Sequence, residues 1–307
     1  MKNTHGKSFG LLSLFIIFIY GTSILQMGCS KARVTPTPLN AYSPVNSYLQ
    51  SKQQPEQSFE ITQDGPGPIV GLLGTKIWGG KSCLVFPNGD SVSYPFTLKL
   101  VELYTPKDMI YYQVPTVSGN NALITGGEIR LRAMKNNTYL LLRPNPCMFQ
   151  IEMRCANSTP LTAMHAFYGQ NQSTPPPFLD NPLTLFTTNT ASYTANIQLL
   201  GWINCGQLMG TNGGNSSPIT FSSTTDDLTN VGIFIYIPST HSVIQATNQS
   251  TIPIAVGTSI KIIAIGINGS GTLYYWNQNT TVTAGASFTI TMTQTTDAAL
   301  TALLNNL

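Results

Sequence analysis

Residues 128–134 read EIRLRAM, and residues 147–155 read CMFQIEMRC. In the first, Ile129, Leu131 and Ala133 alternate with Glu128, Arg130 and Arg132. In the second, Phe149, Ile151 and Met153 alternate with Gln150, Glu152 and Arg154. Successive side chains of a strand point to opposite faces, so each stretch predicts a half-buried strand with one face on a core. SFTITMT (287–293) repeats the pattern, with Phe288, Ile290 and Met292 opposite threonines.

Working outward, VGIFIYIP (231–238) and SIKIIAIGI (259–267) are more continuously apolar and predict central strands. Turn signals separate the runs at Asn88-Gly89-Asp90, Ser118-Gly119, Gly126-Gly127 and Asn268-Gly269. Many short strands with frequent turns predict an all-β chain of two β-sandwich-like domains. One helix is expected at the C-terminus: Leu300, Leu303, Leu304 and Leu307 fall at i, i+3, i+4 and i+7, with Thr296 or Asp297 as cap. Pro175-Pro176-Pro177 cannot lie in a central strand. The expected organisation is therefore a signal segment (1–28), a disordered tether (29–58), an N-terminal sandwich (59–156), a linker (157–182) and a C-terminal β domain with its helix (183–307).

Composition points the same way. Charged residues make up 9% of the 307, against about 25% in ordinary soluble domains. Thr, Ser, Asn and Gln fill the deficit, which suits neutral sheet faces better than exposed helices. From Ala156 onward the only basic residue is Lys261. A surface this poor in ion pairs is read as extracytoplasmic. The net charge of +3 includes Lys2 and Lys7, so no electrostatic footprint for nucleic acid remains.

Lys2 and Lys7 precede an apolar run from Phe9 to Leu25, then Gln26-Met27-Gly28-Cys29. A positive start and a short apolar core describe an export signal, and the run is short for a membrane span. Gly28 directly before Cys29 resembles a bacterial lipoprotein signal, in which the chain is cut before a lipidated cysteine. Gln26 stands where such signals usually carry Leu. The Pro/Ser/Gln-rich stretch that follows has the composition of a tether. The expected location is the outer membrane, with a lipid anchor at Cys29, facing either the periplasm or the cell exterior. Lys31 and Arg33 stand where surface-exposed lipoproteins often carry acidic residues.

Four further cysteines, Cys83, Cys147, Cys155 and Cys205, allow three pairings or buried thiols. Cys147 and Cys155 would lie about 26 Å apart on a straight strand, too far for a bond, which leaves Cys83 or Cys205 as partners for each. No Cys-x-x-Cys or His-x-x-x-His spacing suggests a metal, and Gly71-Leu72-Leu73-Gly74-Thr75 lacks the lysine of a phosphate loop, so no cofactor is expected. TTDDLT (224–229) and LDNP (179–182) read as solvated turns and not calcium loops. His165 and His241 are the only histidines after the signal, and no Gly-x-Ser-x-Gly accompanies them. Carboxylates at Glu60, Asp64, Glu102 and Asp108 read as surface charges and not as a hydrolytic pair. Trp78, Tyr274, Tyr275 and Trp276 are candidate stacking aromatics for a glycan, whereas Trp202 in LLGWINC has the apolar frame of a core residue.

VELYTPKDMI (101–110), LITGGEIRLRA (123–133), LLGWINC (199–205) and GTLYYW (271–276) resemble segments of a Bacteroidota lipoprotein family with a ZU5-like β-sandwich domain. Gly206 stands where that family often has an acidic residue. The resemblance implies a lipid-anchored β-sandwich protein, and ZU5 domains elsewhere are protein-interaction modules. The expected function is a non-enzymatic structural or protein-interaction module of the cell envelope. A carbohydrate-binding lipoprotein is the alternative, and a hydrolase using His165 or His241 a distant third.

Overall fold

A computed structural model describes residues 39–144, 146–156, 159–169, 178–210 and 215–307. The signal segment, Cys29 and Pro175–Pro177 lie outside the described residues. The chain is mostly strand, in several antiparallel sheets, with a C-terminal helix.

Three sheets form successive layers, each interval filled by its own core. The largest runs, in spatial order, through Gln57–Ile61, Phe96–Leu103, Asn121–Lys135, Gly201–Leu208, His165–Gly169 and Leu179–Leu185. A five-stranded outer sheet runs through Thr187–Thr188, Ser192–Ile197, Phe149–Arg154, Lys76–Trp78 and Ile69–Val70. Leu98, Leu100, Ile129, Leu131 and Ile203 of the large sheet meet Ile77, Phe149, Ile151, Tyr193 and Ile197 of the outer one. The alternation in EIRLRAM and CMFQIEMRC therefore marks the two walls of one core.

The other face of the large sheet is also covered. Val101, Leu103, Leu123, Phe167 and Trp202 pack with Phe234, Tyr236, Val243, Ile263 and Ile265 of a C-terminal sheet. That sheet runs through Ser242–Gln245, Gly232–Ile237, Ser259–Ile267, Leu273–Thr281 and Thr293–Thr295. Its far face, with Ile233, Ile235, Ile237 and Ile262, packs on Ile219, Phe221, Ile254, Val282 and Ile290. Continuous apolar runs at 231–238 and 259–267 follow directly, because both faces are buried.

The helix at Asp297–Asn305 is capped by the Thr296 hydroxyl, which accepts from Ala299 N at 3.2 Å. Leu300 and Leu304 enter the middle core.

Several expectations need correction, among them LDNP (179–182), which opens a strand and is not a solvated turn, and the single helix, which is joined by helices at Asn46–Ser51 and Pro106–Tyr112. The interval 157–182 holds two strands of the large sheet, His165–Gly169 and part of Leu179–Leu185. Gly201–Leu208 pairs with Asn121–Lys135, so the first sandwich draws strands from both sides of the expected linker. Long-range pairing of this kind leaves no local trace in composition.

The expected tether is folded from Leu39 onward. Tyr42, Val45 and Leu49 are buried, and the segment carries a short helix at Asn46–Ser51. Asn40 N donates to Thr225 O at 2.8 Å and Ser43 N to Ile267 O at 2.7 Å. Tyr42 enters the C-terminal core and Val45 and Leu49 the middle core, and together with these bonds they dock the strap.

Gly126-Gly127 is not a turn but the middle of the 15-residue strand Asn121–Lys135. The pairing with Gly201–Leu208 shifts register there, between Asn204 and Gly206. A Cβ on Gly126 would sit 2.5 Å from the Tyr193 ring. Gly127 adopts φ +129° beneath the Tyr104 ring, a backbone region that favours glycine.

Candidate binding faces and the buried polar cluster

On the outer sheet, Gln150 lies directly across from Trp78 on one side and Asn196 on the other. The sequence neighbours Ile77, Phe149, Ile151 and Ile197 point into the core, so this row of three faces outward. Trp78 is half-buried; Gln150 and Asn196 are exposed. The row forms the floor of a depression of about 640 Å³ also lined by Asp64, Gly79 and Met148. Gly79 is needed because a Cβ there would run into the Phe149 ring. Asp64 is held at the rim by Lys81 N, 2.9 Å from its Oδ1. In the next row, Lys76 and Glu152 pair at 3.0 Å.

Met148 also borders a second hollow of about 480 Å³, lined with Leu142, Pro146, Cys147, Asn181 and Leu199. Its wall is braced by a Cys83–Cys147 disulfide, with Cα atoms 5.1 Å apart. Beside it runs the edge strand Leu179–Leu185, where Leu179, Leu183 and Leu185 are 62%, 85% and 58% exposed. Three large apolar side chains in seven residues thus stand exposed along one edge strand.

The other three aromatics singled out from sequence do not join Trp78. Tyr274 and Trp276 pack partly against the C-terminal core and Tyr275 against the middle core. Tyr274 meets Tyr42 edge-on at 5.4 Å. Trp202 is buried, with the Arg130 guanidinium 5.1 Å above its ring.

The histidines are far from each other in role. His165 Nδ1 lies 3.3 Å from Asp180 Oδ1 at the large sheet's edge. His241 holds its Nε2 3.2 Å from Tyr104 O and its Nδ1 3.4 Å from Tyr236 OH, and burial pulls its pKa down. Two of the carboxylates expected at the surface are instead buried and held by local donors: Glu102 accepts from Thr75 N and Leu73 N, both at 2.9 Å, and Asp108 accepts from Thr105 Oγ1 at 2.6 Å. Asp226 accepts from Tyr42 OH at 2.7 Å and ties down the strap. Among the described residues no group of three or more metal-ligating side chains comes together.

Cys155 and Cys205 are free thiols. Cys155 Sγ lies 3.6 Å from Tyr193 OH, and burial pushes the Cys205 thiol well above its usual range.

One cluster escaped sequence reading. Asn204 Nδ2 donates to Glu128 Oε1 at 2.6 Å, and Thr125 Oγ1 donates to Asn204 Oδ1 at 3.2 Å. All three side chains are fully buried. Glu128 Oε2 has no hydrogen-bond partner among the described residues. Burial raises the Glu128 pKa to about 8, against the pull of the Asn204 hydrogen bond. Asn204, in an otherwise apolar strand, was the one available hint of a buried polar partner.

Set against known protein families, curated proteins and solved structures, the chain matches none of them.

Proposed function

We propose that this protein is a non-enzymatic, lipid-anchored protein of the cell envelope that holds a protein partner along the edge strand Leu179–Leu185. The observation that carries the reading is the exposure of Leu179, Leu183 and Leu185 on a strand whose outer edge is unpaired among the described residues. Pro182 and the irregular register between Asn181 and Leu185 limit backbone pairing to the strand's ends, so the leucine side chains supply the main contact with an incoming segment. The hollow beside Cys147 can seat a partner side chain, and the disulfide keeps that wall in place. The disulfide and the scarcity of charge support an exported location. Cys29, after its apolar run, supplies the membrane attachment in this reading.

The test is site-specific photo-crosslinking in intact envelopes with the crosslinker at position 183. A discrete adduct is expected, and it should vanish when Leu179 and Leu185 are both changed to Lys. Labelling indistinguishable from that of a probe at Thr280 on the C-terminal sheet would refute the reading. Mass analysis of the N-terminal peptide, with Cys29→Ser as control, checks the anchor separately.

A further inference from the structure

We infer that the depression over Trp78 is a binding site for a neutral oligosaccharide, separate from the leucine-bearing edge. The floor is a straight row, Trp78–Gln150–Asn196, across three neighbouring strands. Adjacent strands lie about 4.8 Å apart, so the row spans about 10 Å, the length of a disaccharide.

The side chains in the row match a pyranose chain. Trp78 presents a half-buried indole on which the apolar C–H face of a sugar ring can stack. The carboxamides of Gln150 and Asn196 make no hydrogen bond among the described residues. Each offers a donor pair and an acceptor, the complement of vicinal hydroxyls. Asp64, fixed by Lys81 N, adds an acceptor-only carboxylate at the rim.

Charge narrows the class. Asp64 is the single charged residue lining the depression and repels an acidic sugar, an effect that Lys81 beside it reduces without cancelling. A peptide strand fits less well. It would need unpaired backbone groups, which lie at the margin strand Ile69–Val70 and not along the row, where Lys76–Trp78 and Phe149–Arg154 already pair with each other. The volume, about 640 Å³, lies within the range of small-ligand sites.

The test is titration of the full chain, in a detergent without a sugar headgroup, with maltohexaose, cellohexaose, chitohexaose and hexagalacturonate. Tryptophan fluorescence and calorimetry report binding. Saturable binding of at least one neutral hexasaccharide, and weaker binding of hexagalacturonate, is expected. Trp78→Ala should weaken it about tenfold or more, and Gln150→Ala and Asn196→Ala severalfold each. Gln150 and Asn196 are exposed, so their variants carry the test even where Trp78→Ala fails to fold. No binding of any neutral sugar at about 1 mM, or wild-type binding by the Gln150 and Asn196 variants, would overturn the inference. Leu179→Lys with Leu185→Lys should leave sugar binding unchanged, which separates this site's failure from that of the edge.

Discussion

Glu128 and Asn204 meet across neighbouring strands, 2.6 Å apart, in the interior of a sheet that has cores on both faces. The carboxyl is satisfied at one oxygen only. Keeping it protonated avoids a buried charge, and that fixes how stability must vary with pH.

In the unfolded chain Glu128 titrates near 4.5, and in the fold near 8. Below 4.5 both states hold the proton and stability is full. Between 4.5 and 8 the unfolded chain releases its proton first, so stability falls as pH rises. Above 8 this contribution is flat. Each unit of pH across the window costs about 1.4 kcal/mol. Glu128→Gln should flatten the decline and make the protein more stable than wild type at pH 8. Urea unfolding at half-unit pH intervals measures both.

The Cys83–Cys147 bond closes a loop of 64 residues. Replacing both cysteines with Ser should cost about 4 kcal/mol, from the lost constraint on the unfolded chain. Apart from Cys29, thiol titration of the denatured, unreduced protein should find two groups, Cys155 and Cys205. Four would mean that the bond is not formed.

Gly126→Ala sets a methyl against the Tyr193 ring, whose hydroxyl also accepts from Leu161 N at 2.9 Å. The ring is fully buried and cannot retreat without disturbing the core between the two sheets. A loss of about 1–3 kcal/mol is expected, read as a lower unfolding midpoint. Gly269→Ala, where nothing lies within 4 Å of an added Cβ, is the control.

Leu49 is completely buried in the middle core with Leu300 and Leu304. Leu49→Ala should cost about 2–5 kcal/mol. A free tether would make the same substitution neutral, so one unfolding curve distinguishes the two descriptions of this segment.

The alternating strands were legible because one core lies between them: Phe149, Ile151 and Met153 are all inward, as their spacing requires. The polar halves were misleading where a second core covers the other face. Glu128 sits in the alternation just as Arg132 does, yet it is buried beside Asn204 while Arg132 reaches Glu56. Nothing in a period of two reports whether the second face meets water. The sequence shows Trp78 as an aromatic, but its row with Gln150 and Asn196 depends on pairing between residues more than 45 positions apart. The paired glycines at 126–127 failed as a turn signal for a related reason. They make room for rings that arrive from Tyr104 and Tyr193.

The strap at Leu39–Ser51 has a mechanical meaning. Its backbone is bonded to Thr225, Asp227 and Ile267, and Tyr48 and Lys52 both reach Asp297, at 2.9 and 2.6 Å. Tension entering the body at Leu39 therefore loads the C-terminal sheet and helix before it reaches Gln57–Ile61, the first strand of the large sheet. The C-terminal sheet and helix therefore bear force from the amino-terminal side before the first strand of the large sheet does.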